Sequence, residues 1–78
     1  MMMNAAQCRM ARAALQLGIR ELANAAKVSP STIARLEAGD ELKERTVDAI
    51  RNALEAAGVA FTNGDEPGVK LKKVTRRI

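Results

Sequence analysis

Apolar residues recur at spacings of three and four along the first 58 positions of the chain, a pattern that is typical of amphipathic helices. The first helix is predicted to begin at Asn4, whose side chain can cap it, and to end near Leu17. Gln7 stands in the position that completes a capping box. The apolar face of this helix is predicted to hold Cys8, Ala11, Ala14 and Leu15. Gly18 interrupts the pattern and separates this helix from the next.

Two short helices follow, over residues 19–26 and 30–38. Ser29 can cap the later helix and Pro30 suits its first position, while Gly39 ends it. The inward face of the earlier helix is predicted to hold Ile19, Leu22, Ala23 and Ala26. Helices this short are unstable alone in water, so both are expected to pack against the rest of the chain.

A fourth helix is predicted after a polar connection over residues 40–45. Thr46 is the expected cap and Gly58 the expected end. Its inward face is predicted to hold Val47, Ile50, Ala53, Leu54 and Ala57.

After Gly58 the apolar positions alternate with period two, which is typical of strands. The alternating apolar residues are Val59, Phe61, Val69 and Leu71. Between them lies NGDEPG, residues 63–68, which is rich in turn formers. We predict a two-stranded hairpin. A basic tail without fixed structure is the alternative, because the last nine residues hold five basic groups and no acid.

Charge narrows the range of partners. Thirteen Lys and Arg against nine Asp and Glu give a net charge of +4, which favours nucleic acid or an acidic membrane surface as a partner.

The single cysteine, Cys8, cannot form an internal disulfide and is expected to be a small core residue. No apolar run approaches the ~18 residues that span a membrane, so a soluble protein is expected. The acid-free first twenty residues also fit an organelle transit peptide, although their apolar face favours a core helix.

The second and third helices, joined by a tight turn, form a helix-turn-helix. Residues 7–39 resemble the Cro and lambda-repressor class of DNA-binding domains, in the segments QCRMARAAL and RELANAAKVSPSTIARLEAG. The matching positions are Ala23, Val28, Ile33 and the run from Leu36 to Gly39. The resemblance implies a mainly α fold: a four-helix, lambda-repressor-like DNA-binding domain over residues 1–58. A C-terminal β-hairpin and basic tail, residues 59–78, would follow it.

The same resemblance implies that residues 30–38 form the recognition helix, lying in the major groove of DNA. Placing Ile33 and Leu36 inward turns Ser31, Ala34, Arg35 and Ala38 outward. Arg35 can present its planar guanidinium to O6 and N7 of guanine. The predicted base contacts are Ser31, Ala34 and Arg35. The predicted phosphate contacts are Ser29, Thr32, the backbone of Ile19, Arg20 and Arg9.

Three positions depart from the family pattern. Ile19 stands where a glutamine usually braces the backbone contact, and Pro30 stands where several relatives carry a base-reading side chain. Lys27 stands where glycine is common, and a left-handed conformation there would cost a lysine roughly 1 kcal/mol.

Glu37 lies at the edge of the inward face, where an unpaired carboxylate would be costly. The resemblance implies a partly buried salt bridge between Glu37 and Arg12, which would tie the first helix to the recognition helix.

One recognition helix touches few bases, so proteins of this class usually bind inverted repeats as symmetric dimers. The predicted dimer element is the hairpin, through Val59, Phe61, Val69 and Leu71. Helix four is the alternative interface. Lys70, Lys72, Lys73, Arg76 and Arg77 either stay solvated or reach flanking phosphates.

The predicted function is a sequence-specific, double-stranded-DNA-binding transcriptional regulator, a repressor or autoregulator that acts as a homodimer on an inverted-repeat operator. The resemblance suggests a bacterial cytoplasm, association with the nucleoid and a mobile genetic element. One alternative is the DNA-binding antitoxin of a toxin-antitoxin pair, with residues 59–78 as its toxin-binding tail. Another is a protein-interaction module that retains the fold, as Ile19 and Pro30 suggest.

Catalysis is not expected. The chain has no histidine, and the sequence offers no cluster of metal ligands and no activated nucleophile beside a base. Accordingly, we predict no cofactor, no metal and no small-molecule ligand.

Overall fold

The computed structural model of the chain describes residues 3–62 and 67–72. Within these ranges the chain forms four helices and one antiparallel hairpin, which confirms the predicted mainly α class. The elements in chain order are α1 (Ala5–Leu15), α2 (Ile19–Ala26), α3 (Pro30–Glu37), α4 (Glu44–Ala57), β1 (Val59–Thr62) and β2 (Gly68–Leu71). Most of the predicted turn and the tail residues Lys73, Arg76 and Arg77 lie outside the described residues.

The start of α1 confirms the predicted capping box. The Gln7 amide donates to Asn4 Oδ1 at 2.7 Å, and the Asn4 amide donates to Gln7 Oε1 at 3.0 Å. The helix ends at Leu15, before the predicted end near Leu17, because Gln16 adopts a left-handed conformation with φ of 58°. Ala14 was wrongly placed on the inward face, since it is exposed.

Helix α4 begins three residues before the position expected from the sequence, with its cap at residue 43 instead of residue 46. Thr46 is not the cap; it lies in the first turn, and Lys43 is the N-cap residue. The Lys43 carbonyl accepts from the amides of Thr46 and Val47 at 2.9 and 3.1 Å, and Glu44 stands where the helix dipole favours an acid. Ala57, expected inside, is exposed.

The core lies where α2 packs against α3 and against α4, with α1 and the hairpin closing one side. Its large members are less than 2% exposed: Leu22, Ile33, Val47, Ile50, Leu54 and Val59. Cys8, Ala11 and Ala23 are small buried residues between them, which allows close approach of the helices.

The predicted hairpin is present, and its register places Val59 opposite Leu71 and Phe61 opposite Val69. Its carbonyls are held from inside the domain: Gln7 Nε2 donates to Thr62 O and to Gly68 O, both at 3.1 Å. Gln7 is 1% exposed, so these bonds are shielded from water.

This packing bears on the predicted dimer surface. Val59 is 0% exposed and belongs to the core of its own chain, so its side chain presents no accessible surface to a partner. Phe61 and Val69 also pack partly on that core, while Leu71 is 57% exposed. Packing on the helices therefore buries hydrophobic residues that, from the sequence alone, could equally contact a second subunit.

Candidate nucleic-acid interface

The turn between α2 and α3 fixes the angle between the two helices. Lys27 is left-handed, with φ of 62°, as the comparison with a family glycine anticipated. The Val28 amide donates to the Ala23 carbonyl at 3.0 Å, and Val28 packs against the core. A short turn with a defined geometry therefore sets how α3 projects from the domain.

Helix α3 turns a face of small residues to solvent. Ile33 and Leu36 are buried beneath it, as predicted. The exposed positions of α3 are Pro30, Ser31, Ala34 and Arg35, and its C-cap residue Ala38 is exposed as well. Arg35 is the one long side chain among them, and its side chain is 59% exposed. The low profile of this face leaves room for another surface to approach the helix axis closely.

Three hydroxyl groups gather at the first turn of α3. Ser29 Oγ accepts from the Thr32 amide at 3.2 Å and confirms the predicted cap. The same oxygen lies 3.1 Å from Ser31 Oγ and 2.9 Å from Thr32 Oγ1. Hydroxyl donors at the positive end of a helix suit an anionic group such as phosphate.

Arg35 has a partner that the sequence did not indicate. Its Nε donates to Asp40 Oδ2 at 3.2 Å, and both side chains are more than half exposed. An ion pair this exposed contributes little to stability, so its significance lies in how it directs the guanidinium.

The Arg12–Glu37 pair expected from the resemblance is present in the structure. Arg12 Nε and Nη2 donate to the two carboxylate oxygens of Glu37, each at 2.8 Å, and the Glu37 side chain is 8% exposed. The bidentate geometry joins α1 to the end of α3. The guanidinium bonded to it holds the pKa of the Glu37 carboxyl below its ordinary value, despite partial burial.

Cys8 is tied into the same cluster. Its Sγ donates to Glu37 Oε2 at 3.2 Å, from a fully buried position. Burial, followed by the bond to Glu37, raises the pKa of the Cys8 thiol to about 12. The thiol therefore stays protonated at neutral pH and acts as a donor, a role that the sequence reading of a small core residue did not include.

Of the other predicted phosphate contacts, Arg9 and Arg20 are exposed and Ile19 is partly buried. Arg9 Nη1 donates to the Glu37 carbonyl at the end of α3, so part of its hydrogen-bonding capacity serves the domain itself. The Gly18 amide donates to Glu21 Oε1 at 2.7 Å. Glu21, which the sequence reading overlooked, thus places a carboxylate beside the Ile19 backbone and disfavours phosphate there.

The tertiary structure adds a basic residue to this side of the molecule. A shallow pocket of about 430 Å³ is lined by Thr32, Arg35, Glu41, Leu42, Lys43 and Thr46. It brings Lys43, at the start of α4, next to α3. The sequence showed Lys43 only as part of a solvated connection, because nothing local indicates that the two helix starts lie together.

Comparison with known proteins agrees with this geometry. Residues 5–61 match a family model described as a helix-turn-helix domain, whereas no curated protein matches the chain. None of the helices in the described part of the chain is long and apolar enough to cross a membrane. The same residues contain no group of three or more side chains suited to holding a metal ion.

Proposed function

The chain belongs to the helix-turn-helix domain family, and from this we propose that it is a sequence-specific transcriptional regulator. Domains of this family typically bind DNA and have regulatory roles. Its target would be double-stranded DNA, with residues 30–38 in the major groove. Repression of a promoter, including that of its own gene, is the proposed outcome of binding.

The outward face of α3 is the observation that carries the proposal. Ser31, Ala34 and Ala38 are exposed and small, and Arg35 rises between them. A major groove admits a helix whose outer side chains are short enough for the backbone to come close. Arg35 would then bond O6 and N7 of one guanine, while Ser31 and Ala34 contact neighbouring bases.

Phosphate contacts would surround this reading face. Ser29 and Thr32 supply hydroxyls at the first turn of α3, and Lys43 lines the same shallow pocket as Thr32. Arg20 is exposed at the start of α2, while Arg9 has only its remaining donors to offer. Such contacts fix the register of a helix on the duplex without reading its sequence.

We propose that the chain binds an inverted repeat as a homodimer, because one short helix reads few bases. Of the four predicted interface residues, Leu71 is the one that combines exposure with a large apolar side chain. The edge of β2 would pair with the same edge of a second copy. Leu71→Lys should then shift the chain to monomer in analytical ultracentrifugation, with Lys70→Gln as the exposed control on the same strand.

Selection of duplexes from a random library tests the central claim. An inverted repeat should be enriched, and Arg35→Ala should abolish preference for one guanine in each half-site, a loss of about 1–3 kcal/mol of discrimination. Asn52→Ala, an exposed change on α4, should leave that preference in place. Failure to enrich any sequence would instead favour a protein-interaction module.

The sequence predicts a DNA-binding domain over residues 1–58, followed by a hairpin and basic tail over residues 59–78 that serve in dimerisation. The bonds from Gln7 to Thr62 and Gly68 favour a different division, in which the hairpin is part of the same folding unit. The antitoxin alternative would leave its toxin-binding segment free. The two strands, residues 59–62 and 68–71, pack on the helices instead. This packing does not support the antitoxin alternative.

A further inference from the structure

We propose that Asp40 is a positioning residue for Arg35 and determines how strictly the recognition helix prefers guanine. The inference rests on the proposed function, since it assumes that Arg35 reads a base. It adds a residue that lies outside α3 and was not among the predicted contacts.

The geometry leaves the reading edge of Arg35 free. Asp40 Oδ2 accepts from Nε at 3.2 Å, so Nη1 and Nη2 keep their outward hydrogens. Two parallel donors are what bidentate recognition of guanine O6 and N7 requires. An acceptor on Nε limits rotation of the guanidinium plane, and an arginine ordered before binding loses less side-chain entropy in the complex.

The backbone holds Asp40 at this place. Gly39 is left-handed, with φ of 97°, and its amide donates to the Leu36 carbonyl at 3.0 Å. The Asp40 amide donates to the Arg35 carbonyl, also at 3.0 Å. These two bonds form a Schellman motif. The turn that ends α3 therefore brings Asp40 back to Arg35. One main-chain and one side-chain hydrogen bond join these two residues.

The charge of Asp40 points to specificity rather than affinity. A carboxylate next to the reading face repels DNA phosphates and weakens binding to every sequence. It also reduces the gain that Arg35 could draw from a phosphate at a wrong site. A duplex with guanine in the correct position offers Arg35 two bonds that compensate for this repulsion, whereas other sequences do not.

The experiment measures the affinity of the full chain for two duplexes. One is the library-selected duplex, and the other is the same duplex with the Arg35-dependent guanine pair replaced by an adenine pair. The quantity compared is the ratio of the first affinity to the second. Asp40→Ala should lower this ratio about three- to fivefold, the range open to an exposed ion pair. Asp40→Asn keeps an acceptor oxygen and should retain most of the ratio. Glu41→Ala, which removes the same charge one residue away, should leave the ratio unchanged while raising affinity for random duplex as Asp40→Ala does.

Double substitution separates the outcomes. In the Arg35→Ala background, Asp40→Ala should have no effect on the ratio, because the residue through which it acts is gone. A wild-type ratio in Asp40→Ala, an equal fall in Glu41→Ala, or a fall that persists without Arg35 would each overturn the proposal. If Arg35→Ala itself leaves every base preference intact, the base-reading role of Arg35 fails first. Asp40 is exposed, so all variants should melt as the wild type does.

Discussion

Arg12 and Glu37 form a bidentate ion pair, with both nitrogen–oxygen distances at 2.8 Å, between the first helix and the end of the third. The Glu37 side chain is almost fully buried, whereas that of Arg12 is about one quarter exposed, at 24%. The pair also anchors Cys8 and adjoins the bond from Arg9 to the Glu37 carbonyl. The orientation of α3 thus depends on a cluster on its inner side.

Glu37→Ala should lower the free energy of unfolding by roughly 2 kcal/mol, since it leaves the Arg12 guanidinium and the Cys8 thiol without their acceptor. The loss is smaller than for a fully buried pair because water can reach Arg12. Thermal melts should show a fall of about 10 °C for a domain of this size. Glu41→Ala, at an exposed position, should change the melting temperature little. Equal melts for the two variants would contradict the structural role of the pair.

The same carboxylate makes stability depend on pH. Its pKa in the folded chain is lowered, chiefly by the bond from Arg12, so its contribution is present above the ordinary glutamate pKa of ~4.3 and is lost as the pH falls through the folded value. Wild type should therefore be more stable to urea than Glu37→Gln at pH 7. The difference should shrink as the pH falls below the ordinary glutamate pKa of ~4.3 towards the lower pKa of the folded chain. A constant difference down to acid pH would show that ionisation of Glu37 is not the cause.

Gln7→Glu tests whether the hairpin is held by the first helix. The change keeps an acceptor for the Asn4 amide but replaces the Nε2 donor by oxygen, which would face the carbonyls of Thr62 and Gly68. We expect a loss of about 2–4 kcal/mol in urea unfolding. Gln16→Glu is the same chemical change at an exposed site and should be nearly neutral. If both variants unfold alike, the hairpin is attached by other contacts.

Lys27→Gly should stabilise the domain by about 0.5 kcal/mol, because glycine adopts a positive φ without strain and this gain exceeds its entropy cost at a left-handed position. Lys27→Ala removes the same side chain but keeps the strain, so it should bring no gain. Chemical denaturation of the three proteins measures the difference. A variant with alanine as stable as the one with glycine would mean that φ at residue 27 carries no cost.

Local features of the fold followed from the sequence. The caps at Asn4 and Ser29, the end at Gly39 and the two-stranded hairpin after Gly58 are predicted by the sequence and are present. Each depends on residues a few positions apart, or on a period that is visible within one segment. The start of α4 was missed because its N-cap residue, Lys43, accepts hydrogen bonds through its main-chain carbonyl alone, and no side-chain cap marks the position in the sequence.

The sequence by itself determined the family, the helix-turn-helix and the outward face of α3, because periodicity and short motifs encode them within about thirty residues. Only the tertiary structure decided which partners those residues meet. It joined Gln7 to carbonyls 55 and 61 positions away, turned Val59 into the core, and placed Lys43 and Thr32 on the lining of one pocket. It also decided that Arg35 meets Asp40 through a left-handed glycine. Such contacts depend on how the helices pack and on the direction in which each turn leads the chain. The spacing of residues along the sequence determines neither the packing nor the direction.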